Sequence, residues 1–373
     1  MLEKIFSVTN CDGHKIFTVF GIKLKFRLNH EIEKSITQPE IPTMTSQLED
    51  KKYILKFFPC EEMFPKGFYN DFILNDLTEK YIKLMQGLDD KSKKILNKTL
   101  YRIIQYAHFK QTKFFVDKKE YDKIIELLHP DLVQCIFPSN GYSAVNGYCV
   151  AGEINCGASV IYKHFIGDVI DKNKILNGDI IDAGAYNGDS ALVLSDFTKG
   201  KIHAFEPESS NFKNLKKTIK INNLIDKIIP VKMGLGEKED IKMLKNFNGN
   251  TIGASFCIED AKETDCEEAS ITTIDNYVKR NNINKIGLIK TDVEGYEQNL
   301  LHGAIETIKK HKPVLMISIY HNFDDFWNIK PLIESWNMGY QFKIRKPYSL
   351  DFCGDMILIA ETADEKVAVY ETI

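Results

Sequence analysis

Between residues 4 and 28 apolar and polar side chains alternate on either side of Asn10-Cys11-Asp12-Gly13-His14, where Asp-Gly supplies the positive φ angles of a tight hairpin turn. This predicts a small β element over residues 1–37. Gln38-Pro39-Glu40-Ile41-Pro42-Thr43 reads as a linker, because its closely spaced prolines oppose both helix and central strand. Beyond it the period lengthens. Leu96, Leu100, Ile103, Ile104 and Ala107 recur at helical spacing, as do Tyr121, Ile124, Ile125 and Leu128, so residues 38–139 are expected to form a mainly helical accessory region. From residue 140 to 373 short apolar runs alternate with helical patterns such as Phe212, Leu215, Ile219 and Leu300, Leu301, Ala304, Ile305, Ile308. That alternation implies βαβ units and an α/β domain with a parallel sheet. Its seven strands are predicted over 179–184, 201–206, 228–233, 286–291, 314–320, 341–345 and 356–360.

Composition narrows the picture modestly. The chain has 373 residues, enough for a catalytic domain and an accessory region. Its 49 basic and 52 acidic residues leave a net charge of −3, so no global field draws it to nucleic acid or anionic lipid. Lys213, Lys216, Lys217 and Lys220 form a basic helical strip, read as a solvated face. Eight cysteines, at 11, 60, 135, 149, 156, 257, 266 and 353, show no C-x-x-C spacing and read as thiols of a reducing compartment. No apolar stretch reaches the length of a membrane span and no signal-peptide core is seen, so a cytoplasmic protein without an integral membrane segment is expected.

Chemistry concentrates in three clusters at the predicted strand ends. The first strand runs into Ile180-Ile181-Asp182-Ala183-Gly184-Ala185-Tyr186-Asn187-Gly188-Asp189-Ser190, and the second ends at Glu206-Pro207. A glycine turn after one strand and a carboxylate after the next outline a nucleoside-cofactor site, the acid gripping the ribose hydroxyls. A dinucleotide turn begins with glycine and aims N–H groups at a pyrophosphate. Here the turn begins with an acid, which suits S-adenosyl-L-methionine, a ligand with a cationic amine and sulfonium. The second cluster, Ile289-Lys290-Thr291-Asp292-Val293-Glu294-Gly295-Tyr296-Glu297, places Asp292 and Glu294 two residues apart on one face. Glu297 reads equally well as a helix-dipole acid. The third is Ser318-Ile319-Tyr320-His321, whose histidine suits a general base. Asp292, Glu294 and His321 are also possible ligands of a divalent metal, an alternative that is not favoured.

Six segments in order, IIDAGAYNGDS, FEP, MGLGEKED, TTIDNYV, LIKTDVEGYE and ISIYHNFDDFW, resemble motifs of the FkbM family of S-adenosylmethionine-dependent methyltransferases, over roughly Gly141 to Ala360. The resemblance implies a Rossmann-like seven-stranded methyltransferase sheet and methyl transfer to an oxygen of a sugar or small metabolite. Carried over residue by residue, it implies that Asp182, Gly184, Ala185, Gly188 and Ser190 line the methionine part of the cofactor. Glu206, with Pro207 beside it, would hold the ribose, and Asp292 would close the site. Glu294 and His321 remain the proton acceptors. The chain departs from the family pattern at Thr291, which on a buried strand must find a hydrogen-bond partner, and at Gly354-Asp355. The N-terminal GHKIFTVFGIKLKFR resembles a preamble of bacterial surface-polysaccharide enzymes, which favours a sugar, nucleotide-sugar or glycan acceptor of capsule or lipopolysaccharide assembly. Asn140 to Glu153 resembles the entry segment of related methyltransferases. The competing expectations are an NAD-dependent sugar oxidoreductase or epimerase and a methyltransferase of a non-sugar small molecule; no nucleic acid partner is expected.

Overall fold

The computed structural model describes residues 6–11, 14–19, 22–27, 53–59, 67–128, 135–137, 141–152, 156–247, 250–255 and 266–362. All seven strands expected of the α/β domain form: β1 (Asp179–Ala183), β2 (Ile202–Phe205), β3 (Ile228–Val231), β4 (Ile286–Thr291), β5 (Val314–Ser318), β6 (Tyr340–Arg345) and β7 (Ile357–Thr362). They make one Rossmann-like sheet in the order β3-β2-β1-β4-β5-β7-β6. Strands β3 to β5 in that order run parallel. The expectation of a parallel sheet fails at its far edge, where β7 is antiparallel to both β5 and β6. Residues 346–356 contain no helix to carry the chain back across the sheet, so β7 returns beside β6 in the opposite sense. A further four-stranded sheet, built from Gly234–Leu235, Asp240–Phe247, Asn250–Ser255 and Cys266–Thr272, was not anticipated from the sequence.

Strands β4, β5 and β7 are buried along their whole length, as apolar runs covered on both faces should be. The pleat sends Ile180, Leu288, Val314 and Met316 into one apolar cluster and Ile181, Ile289, Leu315 and Ile317 into another. The second cluster continues without a break into the accessory region through Phe57, Leu96, Leu100 and Ile103. Helix α1 (Asp90–Phe109) supplies the last three of these. Its N-cap Asp89 accepts the Ser92 N–H at 2.7 Å and also pairs with Arg345 of β6 at 2.8 Å. Arg345 reaches Asp168 at 2.7 Å as well, so one guanidinium ties the helical region to the sheet edge. Near the N-terminus Phe6–Cys11, His14–Val19 and Ile22–Arg27 form an antiparallel three-stranded sheet with Cys11 opposite His14. The Asp12-Gly13 turn and the 38–43 linker lie outside the described residues.

Candidate functional site

The turn after β1 is held from below. Register places Lys290 of β4 directly beside Asp182 of β1. Their side chains meet with Nζ 3.1 Å from Oδ1 while Nζ also donates to the Gly184 carbonyl at 2.9 Å. Burial pulls the Lys290 ammonium down, yet Asp182 and Asp292 outweigh it and hold the group above its ordinary value. Ser190, in the first turn of α2 (Asp189–Leu194), donates to Asp182 Oδ2 at 2.6 Å. Asp182 is 0 % exposed, and its charge is matched inside the chain by Lys290 and Ser190. Gly184 and Tyr186 are the partly exposed members of the turn; Ala185, Gly188 and Ser190 are buried. Gly184 is obligatory, since at φ +73° an added Cβ would sit 1.8 Å from the Asp292 carbonyl. Gly188, at φ +92°, leaves room for Leu215 of α3 (Ser209–Ile221).

Glu206 follows β2 and sits beside that turn. Its Oε2 accepts the Tyr186 N–H and its Oε1 the Glu208 N–H, each at 2.9 Å. Burial pushes its carboxyl up to about 8, although both N–H groups favour the ionised form. Pro207 is half-buried beside it. The hairpin of Tyr142–Val145 and Tyr148–Ala151 docks against the same turn: Asn187 donates to the Ala151 carbonyl at 3.0 Å, and Thr218 Oγ1 accepts the Ala151 N–H at 3.0 Å.

The ends of β4 and β5 bring Asp292, Glu294 and His321 together, as the sequence reading requires of a shared crevice. His321 is 4 % exposed; its Nε2 lies 3.3 Å from Asp292 Oδ1 and 3.5 Å from Glu294 Oε2, and its Nδ1 lies 2.9 Å from Glu297 Oε1. Burial alone would lower the imidazole, but Glu297, Glu294 and Asp292 raise it well above its ordinary value. A ring that keeps its proton has no free lone pair with which to act as the expected proton acceptor. Glu294 behaves oppositely. Burial, together with repulsion from Asp292 and Glu297, pushes its carboxyl up to about 7 against the pull of His321. Its backbone is left-handed, φ +56°, uncommon for a residue with a Cβ. Burial would raise Asp292 too, but His321 and Lys290 hold it well below the usual carboxylate range.

Glu297 is the residue that the sequence reading left undecided. It opens α4 (Glu297–His302), is 0 % exposed and accepts the N–H groups of Val293 at 2.9 Å and Gly295 at 3.0 Å. It therefore braces the strained 293–295 turn from behind and steers His321. Donor atoms of Asp292, Glu297 and His321 lie within 4.8 Å of one another. Both Glu297 oxygens, however, already face N–H groups and the ring, so the donors are turned on each other. Lys290 was also missed. A lysine inside the otherwise apolar IGLIKT strand was the available signal, since a buried ammonium demands a counter-charge. Thr291 departs from expectation: its Oγ1 is buried with no hydrogen-bond partner among the described residues. Lys213, Lys216, Lys217 and Lys220 are exposed on α3. No described helix is long and apolar enough to cross a membrane.

Comparison with known proteins bears on this geometry. Among curated proteins no relative matches. A methyltransferase FkbM from Methylobacillus flagellatus is 20 % identical with a TM-score of 0.49, over 76 % of this chain and 58 % of that one. This chain thus spans little more than half of that protein. A putative rRNA methylase from Clostridium thermocellum is 11 % identical with a TM-score of 0.34, over 54 % and 96 % of the two chains. A putative methyltransferase from Streptococcus mutans, solved in complex with SAH, is 11 % identical with a TM-score of 0.31, over 52 % and 96 %. Residues 182–346, from the acid of the β1 turn to just past the end of β6, match the methyltransferase FkbM domain.

Proposed function

We propose that the chain is a cytoplasmic S-adenosylmethionine-dependent O-methyltransferase acting on a sugar or sugar-derived hydroxyl in surface-polysaccharide assembly. The observation that carries this reading is the gathering, at one rim of the sheet, of the glycine turn after β1, the Glu206 carboxylate and the Asp292–Glu294–His321 cluster. Ligands of open α/β sheets bind outside such strand ends. The residues fit the cofactor: Glu206 is a buried carboxyl with no salt-bridge cation among the described residues, fixed beside the turn by the Tyr186 and Glu208 N–H groups, and the turn leaves Gly184 and Tyr186 partly open. Asp182 and Ser190 then act by fixing the turn through Lys290. When bound, the cofactor supplies a methyl group already activated on sulfur.

The protein's task is alignment and removal of one proton. Glu294, with its carboxyl near 7, accepts the hydroxyl proton. His321, cationic and clamped by Glu297, holds Asp292 and Glu294 in place. The sugar acceptor is supported by the N-terminal resemblance to surface-polysaccharide enzymes. Thermal melting with S-adenosylhomocysteine and with NAD tests the cofactor, stabilisation being expected from the first alone. Incubation with labelled S-adenosylmethionine and nucleotide-sugar, glycan and phospho-sugar fractions tests the acceptor. Label confined to non-carbohydrate fractions overturns the sugar reading.

A further inference from the structure

His164 belongs to none of the motifs at the strand ends. It lies in the short Lys163–Asp168 turn, where Lys163, His164 and Phe165 have φ +47°, +49° and +58°. Three successive left-handed residues with side chains are disfavoured, because each Cβ crowds the following carbonyl. Such strain persists where the surroundings over-determine it, and it clusters at ligand sites. Phe165 and Ile166 anchor the turn in the cluster containing Ile180, Ala191, Leu288 and Met316. One pleat further along β1 and β4 on that same sheet face stand Asp182 and Lys290. The turn therefore covers the face whose polar end is the buried ion pair and the 184–188 loop.

His164 is 4 % exposed, and its Nε2 is buried without a hydrogen-bond partner among the described residues. Buried ring nitrogens are ordinarily paired, so this one requires an explanation. Burial pushes the imidazole down to about 3, with the Lys290 ammonium adding to that effect and Asp292 opposing it. The ring is neutral at pH 7, and Nε2 offers either a lone pair or an N–H according to tautomer. The buried protein cation nearby, Lys290, is already satisfied by Asp182 and the Gly184 carbonyl.

We propose that His164 is a ligand-contact residue whose Nε2 hydrogen-bonds the amino-acid end of the methyl donor. The inference rests on the methyltransferase reading above. The amino-acid end is specified because the sheet face that this turn covers ends at Asp182, Lys290 and the Gly184 carbonyl, whereas Glu206 follows β2. A neutral imidazole can donate to the carboxylate of that end or accept from its ammonium.

The test is His164→Phe, which keeps the ring's bulk and removes the nitrogen, examined by titration calorimetry with two probes. S-adenosylhomocysteine carries the amino-acid end, and 5′-methylthioadenosine lacks it. The expected result is a roughly tenfold weaker Kd for S-adenosylhomocysteine, of the order of one lost polar contact. Affinity for 5′-methylthioadenosine and the melting temperature of the unliganded protein should stay unchanged. Unchanged affinity for both probes, equal losses for both, or a pronounced fall in melting temperature each overturn the proposal. A wild-type protein that binds neither probe overturns the methyltransferase reading and this inference with it, a result distinct from wild-type binding that the substitution leaves intact.

Discussion

At the end of β1 a single carboxylate, Asp182, has a lysine of its own; at the ends of β4 and β5 the carboxylates of Asp292, Glu294, Glu297 and Asp325 crowd around one imidazolium. Both regions are acidic strand ends of the same sheet, and they lie within one residue of each other where Gly184 packs on the Asp292 carbonyl. Charge balance separates them. The first is complete, with both Asp182 oxygens engaged by Lys290 and Ser190. The second carries more negative charge than its cation neutralises, so burial and mutual repulsion push Glu294 up to about 7 and Asp325 up to about 8. A balanced pair makes a rigid platform. An unbalanced cluster keeps a group that exchanges its proton near neutral pH, which is what general-base chemistry requires.

The contrast breaks most severely at Lys290. Lys290→Met leaves Asp182 buried without its cation and is expected to cost about 3 to 5 kcal/mol of stability, read from the urea midpoint. Adding Asp182→Asn should recover a large part of that loss, since the uncompensated charge is then gone. On the other side, Glu294→Gln should lower turnover about a hundredfold while leaving the Kd for S-adenosylhomocysteine unchanged, as expected for loss of a general base. The pH profile sharpens this prediction. The base form appears as pH rises through about 7, so wild-type activity should rise there and the variant's should not. The folded carboxyl is raised above its unfolded value, so the stability carried by its protonated form is present below 4.5 and lost as pH rises through about 7. Activity therefore appears in the same window in which stability is given up. Denaturant midpoints at pH 6 and 8 should differ less in Glu294→Gln than in the wild type.

Glu206→Gln stands between the two regions. It keeps the shape of the side chain but sets an amide NH2 against one of the backbone N–H groups that the carboxyl accepts, so a small loss of stability should accompany a roughly tenfold weaker Kd for S-adenosylhomocysteine, through loss of one acceptor oxygen. The smallest effect concerns the tie between helical region and sheet. Burial raises the Asp89 carboxyl, but hydrogen bonds from Arg345 and Ser92 more than reverse this and hold it well below 3.8. Its contribution is therefore present above that unfolded value and lost as pH falls below it. Arg345→Met should flatten this acid limb of the melting curve and leave the limb above pH 6 unaltered.

The seven strands were legible because buried strands must be apolar, and runs such as Val314–Ser318 have no other use for so many branched residues. The glycine turn and the acids of β4 were legible because a turn with φ +73° and a rim that meets ligands restrict residue type locally. The antiparallel β7 was not, since strand direction depends on what links β6 to β7 rather than on the strands' own composition. Nor was the state of His321: its spacing from Asp292 says nothing about the buried Glu297 that makes it a cation.

The sequence by itself determined where strands end and which residue types stand at those ends, because periodicity and turn chemistry act over a few neighbouring residues. Only the tertiary structure decided what each polar group meets. It set Lys290 against Asp182, turned Glu297 onto His321 and left the His164 Nε2 unmatched. Charge state and hydrogen-bond satisfaction are properties of partners brought together across distant parts of the chain, at separations of a few ångströms in a medium with little water.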